Sequence, residues 1–298
     1  MKLKILNKEI LKKAKEKSFA LGVFDGVHLG HNEIIKRAKI AITFDPHPQL
    51  TSRNKLDPIK MLTTLEERKM LIDNLLVLQF SDEVAGLNPE EFVKKVLIDE
   101  LGVEKVVVGY DYRFGFRRSG CVEDLREYAE RYGFVVEIVP PFRINEIPVK
   151  SSTVRRLIMS SSFEEAKKLL GRDYFLMGEV IKGKGIGKKI GYPTANLEVP
   201  DEKLLPARGL YAGEVEAKGK NYKAVIYFGV LPSLSSEENK LVYDEIRAHG
   251  LEVYLLNFKG DLCGEKIIIK FKRHIRNEMY FEDIKDLKKQ IQNDLRKI

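Results

Sequence analysis

The chain has 298 residues, of which 44% are hydrophobic and 32% charged, and its formal net charge is +8. This length favours two domains over one, and the apolar content is that of a globular protein with well-formed cores. No apolar run is long enough to cross a bilayer, and residues 1–17 mix Lys and Glu among their apolar residues, unlike a signal peptide. The two cysteines lie far apart, so we expect reduced thiols in a cytoplasmic protein without a membrane partner.

The positive net charge suits an anionic partner, either nucleic acid or a small phosphorylated ligand. Lysines spread along helices usually form a solvated face. The sequence shows no basic stripe interleaved with aromatic residues, which single-stranded nucleic acid requires. Charge alone therefore leaves the partner open.

Apolar strands alternate with amphipathic helices from about residue 18 to about residue 170. The predicted strands are Ser18–Phe24, Ile40–Phe44, Leu76–Phe80, Val103–Gly109 and Phe134–Val139. The predicted helices are Leu29–Ala38, Leu65–Leu75, Pro89–Leu101, Cys121–Tyr132, Ser151–Met159 and Phe163–Leu170. This alternation predicts a Rossmann-like α/β fold, with a parallel sheet that binds ligands at the carboxyl ends of its strands.

Two of the predicted junctions are unusually short. Between Arg37 and Ile40 a helix runs into a strand without a Gly, Pro, Asn or Asp to turn the chain. The junction at residues 73–76 is almost as short. Connections normally need a few residues. Either the element boundaries are shifted or residues are missing from the sequence, and we favour the second interpretation.

The pattern changes after about residue 171. The predicted strands are now Tyr174–Lys182, Gly209–Ala217, Tyr222–Gly229, Leu251–Phe258 and Lys266–Phe271, and the next helix is Phe281–Arg296. Consecutive strands with turns between them predict a small antiparallel β-barrel closed by a terminal helix. We therefore expect two domains, residues 1–171 and residues 172–298.

The most unusual motif, GVFDGVHLGH, lies where the first strand gives way to a helix (Gly22–His31). Backbone N–H groups and the helix dipole at such a point favour an anion, and the imidazoles of His28 and His31 could donate hydrogen bonds to phosphate oxygens. A third histidine follows the next strand, in Phe44–Pro48. A capping or surface role is the ordinary alternative for one histidine, but this concentration of His, Gly and Asp favours a nucleoside triphosphate site.

Two further segments of the first domain carry ligand-binding chemistry. GYDYRFG (Gly109–Gly115) combines aromatic faces with Asp111 and Arg113, as a planar heterocycle with a phosphate would require, although a structural loop is the alternative. SSTVRR (Ser151–Arg156) opens a helix with three hydroxyls and two guanidinium groups, which suit phosphate oxygens. A plain helix cap would explain one serine but not the cluster.

The second domain has its own candidate phosphate site. GKGIG (Gly183–Gly187) could place backbone N–H groups around a nucleotide, although it lacks the spacing of a Walker A motif. In GYPTAN, the Thr194 hydroxyl and the Asn196 amide could both reach one Mg²⁺ ion. Glu252, at the start of a strand, is a candidate base for a hydroxyl nucleophile, although an isolated glutamate on a strand is more often solvated.

Taken together, these motifs resemble the bifunctional bacterial riboflavin kinase/FMN adenylyltransferases, or FAD synthetases, over nearly the whole chain. The resemblance also rests on RHIRNEMYF (Arg273–Phe281), and the motifs in this order are highly specific. It implies an N-terminal nucleotidyltransferase domain, which adenylylates FMN to FAD and releases pyrophosphate. It also implies a C-terminal flavokinase barrel, which phosphorylates riboflavin to FMN. ATP would be the co-substrate of both steps, with Mg²⁺ as cofactor; we expect a monomer or weak oligomer and no nucleic acid partner.

The resemblance also suggests a role for each candidate residue. The catalytic group comprises His28, His31 and Glu252. The nucleotide-binding group comprises Gly22, Phe24, Asp25, Ser152, Thr153, Arg156, Gly183, Gly185 and Gly187. The flavin-binding group comprises Asp111, Arg113, Phe114, Arg276 and Glu278. The metal ligands are Thr194 and Asn196.

The chain departs from the family pattern in several places, and the two short junctions lie where the family normally has longer loops. Arg208 stands where an acidic or small residue is more usual, and residues 231–250 form a longer and more polar segment than expected. The role of both is open, and the second makes the role of Glu252 less secure.

Two other functions remain possible on the sequence. The first is adenylyl transfer to another phosphorylated substrate, with the barrel as an accessory module, which would not need a Thr/Asn metal pair. The second is nucleic acid binding, which would weaken steeply with salt.

Overall fold

A computed structural model of the chain describes residues 4–13, 16–48, 59–234, 241–243 and 249–298. It forms two compact units, Met1–Ser151 and Ser152–Ile298. Within the described ranges, we find no helix with both the length and the apolar character that a bilayer crossing requires.

The first unit is built on a five-stranded parallel sheet. Its strands are β1 (Ser18–Leu21), β2 (Ile40–Asp45), β3 (Leu75–Gln79), β4 (Lys105–Gly109) and β5 (Val135–Val139). Their order is β3-β2-β1-β4-β5, so the order reverses between β1 and β4. In open α/β sheets the ligand crevice lies beyond the carboxyl ends of the strands at this reversal. The two motifs that follow β1 and β4 are therefore at the expected position, and the predicted Rossmann-like fold is confirmed.

Helices precede and connect these strands. They are α1 (Glu9–Lys13), α2 (Leu29–Ile35), α3 (Leu65–Leu71), α4 (Asp82–Ala85), α5 (Pro89–Glu91), which continues as a π-helix over Phe92–Glu100, and α6 (Val122–Tyr132). A two-stranded hairpin, β6 (Arg143–Ile144) and β7 (Ile147–Pro148), follows β5.

The helix boundaries at the two short junctions were predicted too late in the chain. The helix α2 ends at Ile35, and residues 36–39 form the turn into β2. Similarly, α3 ends at Leu71, which leaves residues 72–74 to reach β3. Both junctions thus have three or four connecting residues, and neither requires missing sequence.

The two faces of the sheet pack into separate cores because successive strand residues point to opposite faces. On one face Phe19, Ile42 and Val106 pack with residues of the π-helix and α6. On the other face Ala20, Ala41 and Val77 pack with Phe24 and Val27. The loop that follows β1 is therefore anchored in the second core.

The second unit is a closed antiparallel barrel. Its strands are β8 (Tyr174–Ile181), β9 (Ala195–Glu198), β10 (Gly209–Ala217), β11 (Lys220–Val230), β14 (His249–Leu255) and β15 (Lys266–Asn277). They close in the order β10-β11-β14-β9-β8-β15, and the terminal helix is α10 (Ile284–Leu295). The predicted barrel with its terminal helix is confirmed. Strand β9 was not predicted because its four residues directly follow a Gly-Tyr-Pro turn pattern.

Two helices precede the barrel, α7 (Ser151–Met159) and α8 (Phe163–Leu170). The ring of Phe163 stacks on Phe271 of β15 at a centroid distance of 5.3 Å and meets Tyr211 edge-on. The helix α8 therefore contributes to the barrel core, although the expected boundary at residue 171 assigned it to the first domain.

The polar segment 231–250 is only partly described. It contains the short strands β12 (Pro232–Leu234) and β13 (Leu241–Tyr243), which pair with each other. The rest of the predicted insertion, residues 235–240 and 244–248, lies outside the described residues.

Candidate active sites

The loop after β1 has a conformation that requires glycine at two positions. A Cβ on Gly22 would lie 2.7 Å from the ring of Phe24, and one on Gly26 would lie 2.8 Å from Leu62. Gly26 also has a positive φ of 86°, a region that few L-residues adopt. These glycines allow the loop to fold tightly over the core.

The two histidines of this loop stack on each other. His28 caps helix α2, and its Nδ1 accepts the His31 backbone N–H at 3.1 Å. Their rings are 3.6 Å apart and 16° from parallel, and Phe24 packs edge-on against His31. Since Nδ1 of His28 is an acceptor, a neutral His28 carries its proton on Nε2, which makes Nε2–H a donor for a phosphate oxygen.

Asp25 holds the loop in place. Its buried carboxylate accepts the Thr63 backbone N–H at 3.0 Å. The Asp25 carbonyl accepts a 2.8 Å hydrogen bond from the hydroxyl of Ser151, the first residue of α7. Asp25 is therefore tied to Thr63 through its side chain and to Ser151 through its own backbone carbonyl.

The next residues of α7 carry the predicted triphosphate ligands. Ser152, Arg155 and Arg156 line a shallow depression on this helix. Ser152 and Arg156 are exposed, whereas Val154 and Ile158 are buried. The hydroxyl and guanidinium groups thus occupy the solvent side of α7 while its apolar side is packed.

The loop after β4 separates its predicted flavin ligands. Asp111 and Arg113 are exposed, but Phe114 is only 5% exposed and packs in the sheet core, where its ring stacks on Tyr112. The exposed aromatic residue of the Gly109–Gly115 motif is Tyr110, with the Lys150 ammonium 5.7 Å from its ring centre. Sequence reasoning did not single out Tyr110, although it directly follows the glycine that ends β4.

A cavity in the second unit collects most of the predicted kinase residues. Its polar lining includes Lys184, Thr194, Asn196, Glu252 and Arg276. Apolar side chains from the strands and from α10 form much of the remaining lining, among them Leu210, Val225, Leu287 and Ile291. A deep, mainly apolar cavity with a few convergent polar groups is typical of a ligand site.

Glu252 lies at the centre of the polar group. The Thr194 hydroxyl donates to its Oε2 at 3.3 Å, and Asn196 of β9 lies directly opposite it on β14 and also hydrogen-bonds to it. Burial raises the pKa of Glu252, while the two hydrogen bonds and the charge of Lys184 partly oppose this shift. A carboxylate with a raised pKa is a stronger proton acceptor.

The glycine-rich loop packs closely on the Thr/Asn pair. A Cβ on Gly183 would lie 2.0 Å from the amide nitrogen of Asn196, and one on Gly187 would lie 3.0 Å from the Thr194 hydroxyl. Gly185 begins the short helix α9 (Ile186–Lys189) with a φ of 71°. Gly183 and Gly187 therefore permit close approach, whereas Gly185 permits the backbone turn.

Arg276 and Glu278 are tied to different parts of the barrel. Arg276 Nε donates at 2.9 Å to Asp294, a buried residue of α10. Glu278 accepts the backbone N–H of Val230 and the Tyr227 hydroxyl, and it lies 3.8 Å from Arg208. The unusual Arg208 thus has an acidic partner. Asp294 and Tyr227, both of which line the cavity, were missed because their partners are distant in sequence.

The two units together define a class of protein. An α/β unit with stacked histidines at its switch point, and a barrel with a Thr–Asn–Glu cluster in a cavity, are the features of a two-domain nucleotide-dependent transferase. Residues 10–153 match the FAD synthetase family, and residues 170–298 match the riboflavin kinase family. The chain belongs to the bifunctional riboflavin kinase/FMN adenylyltransferases.

Individual relatives agree with this assignment. The bifunctional riboflavin kinase/FMN adenylyltransferase of Listeria monocytogenes is 34% identical, over 93% of this chain and 90% of its own length. That of Bacillus subtilis is 30% identical, over 96% and 92%. A crystal structure described as a macrolide-efflux protein from Streptococcus pneumoniae has a TM-score of 0.76 at 28% identity, and the match covers 96% of this chain and 95% of that one. The predicted family and its two transferase activities are confirmed, and the riboflavin kinase match decides against a merely accessory barrel.

Proposed function

We propose that the barrel phosphorylates riboflavin at the Thr194–Asn196–Glu252 cluster and that the α/β unit adenylylates FMN at the His28–His31 loop. The observation that carries the proposal is the Glu252 carboxylate, which is desolvated in a cavity and bonded to both Thr194 and Asn196. A solvated glutamate on a strand surface would have neither the cavity nor these partners. We assign the two activities to residues 172–298 and 1–171, which correspond, apart from residues 170 and 171, to the matched family segments 170–298 and 10–153.

In the kinase step, Glu252 accepts the proton of the riboflavin 5′-hydroxyl. The hydroxyl oxygen then attacks the γ-phosphorus of ATP in line, the bond to the β-phosphate oxygen breaks, and ADP leaves. The GKGIG loop covers the nucleotide with backbone N–H groups, which Gly183 and Gly187 bring close to the Thr/Asn pair.

The donor set of this cluster fits Mg²⁺. Thr194 and Asn196 supply neutral oxygens next to the Glu252 carboxylate, and Mg²⁺ usually combines few protein oxygens with substrate phosphates and water. The described residues include no cluster of three His, Cys, Asp or Glu side chains that would bind a metal alone. An ion bound by Thr194 and Asn196 together with ATP would neutralise charge on the phosphates.

In the adenylyl step, an FMN phosphate oxygen attacks the α-phosphorus of ATP, and pyrophosphate leaves. His28 and His31 donate hydrogen bonds to the phosphates, and Ser152, Thr153 and Arg156 hold the β- and γ-phosphates. Gly22, Phe24 and Asp25 shape the pocket. Because the FMN phosphate attacks the α-phosphorus directly, no covalent enzyme intermediate forms, and the acceleration comes from positioning and charge neutralisation.

The flavin ligands differ between the two sites. In the α/β unit we assign the exposed Asp111 and Arg113 to FMN and add Tyr110. Phe114 contributes indirectly, because its ring stacks on Tyr112 in the core. In the barrel, Arg276 and Glu278 shape the riboflavin pocket. Cys121 and Cys263 are free thiols, which supports the expected cytoplasmic location.

The test is to incubate the purified chain with riboflavin, ATP and Mg²⁺ and to resolve the flavins by chromatography. We expect FMN and then FAD, with one ADP and one pyrophosphate formed per FAD. With FMN as the starting flavin we expect FAD and pyrophosphate but no ADP, and EDTA should stop both reactions. Failure to form FMN from riboflavin would overturn the kinase assignment. Failure to form FAD from FMN would overturn the adenylyltransferase assignment.

A further inference from the structure

The loop that carries His28 has a strained backbone. Three of its residues have positive φ angles: Phe24 at 54°, Gly26 at 86° and Val27 at 40°. A positive φ is uncommon for any residue but glycine and is a clear outlier for a β-branched residue such as Val27. Strain of this kind persists only where the surroundings enforce it.

Thr63 enforces one side of the loop through two reciprocal hydrogen bonds. Its backbone N–H donates to the Asp25 carboxylate at 3.0 Å, and its hydroxyl accepts the Gly26 N–H at 2.9 Å. Thr63 is 2% exposed, so water does not compete for either bond. The pair fixes the two residues that lie between Phe24 and Val27.

Arg68 enforces the other side. Its Nη1 donates to the Val23 carbonyl at 2.7 Å and to the Thr43 hydroxyl at 3.0 Å, and Thr43 in turn donates to the same carbonyl. Arg68 is only 2% exposed, and Asp25, Asp45 and Glu67 stabilise its charge. Burial of a guanidinium group costs free energy. Its presence beside a loop carbonyl therefore suggests that the position of this loop is important.

Thr63 and Arg68 are held together by one helix start. The hydroxyl of Thr64 accepts the Glu67 backbone N–H, and the Glu67 carboxylate accepts the Thr64 N–H, which forms a capping box at the start of α3. The segment from Thr63 to Arg68 is therefore a fixed unit that contacts the strained loop at Val23, Asp25 and Gly26.

We propose that Thr63 and Arg68 are positioning residues for adenylyl transfer: they clamp the strained loop so that His28, the residue after Val27, meets the phosphates at the transition state. This inference rests on the proposed adenylyl step. Neither residue needs to touch a substrate, because both act through the backbone of the loop.

The test compares Arg68→Met and Thr63→Val, which keep side-chain size but remove the hydrogen bonds to the loop. For FAD formation from FMN we expect kcat to fall by about 10²-fold in Arg68→Met, with the KM for ATP changed less than about threefold, because misplacement by about 1 Å weakens transition-state contacts. Thr63→Val should show the same pattern. Arg68→Lys, which retains a charge and a donor, should recover part of the loss, and riboflavin phosphorylation by the same proteins should be unchanged.

A control separates positioning from general destabilisation. Ser81→Ala removes the cap of α4 and so destabilises the same unit at a place away from the loop, and it should leave adenylyl transfer intact. In ¹⁵N-histidine NMR spectra, the His28 signals should shift in Arg68→Met and Thr63→Val but not in Ser81→Ala.

Three results would count against the clamp or its basis. Retention of more than half of the wild-type kcat by folded Arg68→Met and Thr63→Val would overturn the clamp, as would an equal loss in Ser81→Ala. If Arg68→Met does not fold, Thr63→Val decides alone. If the wild-type chain makes no FAD from FMN, the proposed function itself fails, and the clamp with it.

Discussion

The hydroxyl of Thr194 donates a hydrogen bond of 3.3 Å to the carboxylate of Glu252, although the two residues are 58 positions apart in the chain. Both line the same barrel cavity, and the Asn196 amide bonds to the same carboxylate. This contact links the Mg²⁺-type oxygen donors to the group that we propose as the base. The first three predictions concern this cluster.

Replacing the base should separate the two activities. Glu252→Gln keeps the shape and the hydrogen-bonding capacity of the side chain but cannot accept a proton. We expect riboflavin phosphorylation to fall by about 10²- to 10⁴-fold, the usual contribution of a general base. FAD formation from FMN should be unaffected in the same preparation. Loss of both reactions in a folded protein would contradict the assignment of Glu252 to one site.

The same substitution should change the dependence of stability on pH. Burial raises the pKa of Glu252 above its ordinary 4.5, so the folded state holds this proton more tightly than the unfolded state. Folding stability from this group is therefore lost as pH rises through the folded pKa. The melting temperature of Glu252→Gln minus that of the wild type should therefore be more positive at pH 7.5 than at pH 4.5. Differential scanning fluorimetry can measure this difference. A difference that is independent of pH would contradict the raised pKa.

Riboflavin phosphorylation should require glycine at position 183, because there is no room for a side chain there. A Cβ there would lie 2.0 Å from the Asn196 amide, so Gly183→Ala must displace Asn196 or the loop. We expect at least about a tenfold fall in kcat for riboflavin phosphorylation. The matched control is Gly219→Ala in the β10–β11 turn, where φ is 71° and no described atom lies within 4 Å of the added Cβ. This control should lose some stability but keep its activity.

His28 should be needed for adenylyl transfer alone. His28→Ala removes the cap of α2, the ring stacked on His31 and the Nε2–H donor. Loss of one aligned donor to a developing charge typically costs about 10²- to 10³-fold in kcat. FAD formation from FMN should fall by at least this factor, while FMN formation from riboflavin persists. Equal loss of both steps would contradict two separate sites.

The ion pair between Arg276 and Asp294 should stabilise the barrel. Asp294 is 2% exposed and joins α10 to β15, and removal of one partner from a buried pair costs about 3 kcal/mol. We expect Asp294→Ala to lower the free energy of unfolding by about this amount in urea and to raise the KM for riboflavin, because Arg276 lines the cavity. The exposed Glu91–Lys95 pair is the control, and Lys95→Ala should cost less than about 0.5 kcal/mol.

The two architectures followed from patterns that act locally. Alternating strands and helices indicated the parallel sheet, and consecutive strands indicated the barrel. Cys121–Tyr132 was predicted within one residue because Gly133, with a φ of 76°, ends that helix with a strong local signal. The end of α2 and strand β9 were missed because no turn residue marks the first and a turn pattern directly precedes the second.

Burial was harder to predict than position. Phe114 was expected to contact flavin because it follows β4 in an aromatic loop, yet it packs in the core, and the exposed ring of the motif is Tyr110. Nothing in a seven-residue motif tells which of its aromatic rings faces the core, because that depends on how the loop returns over the sheet.

Sequence alone determined the family, the order of the two folds, and the motifs that stand at strand ends, because each of these is encoded in short runs of neighbouring residues. Tertiary structure alone decided which distant groups meet: Glu252 with Thr194 and Asn196, Arg276 with Asp294, and Arg68 with the Val23 carbonyl 45 residues earlier. Such contacts are set by strand order, register and helix packing. These properties belong to the whole fold, and no local pattern records them.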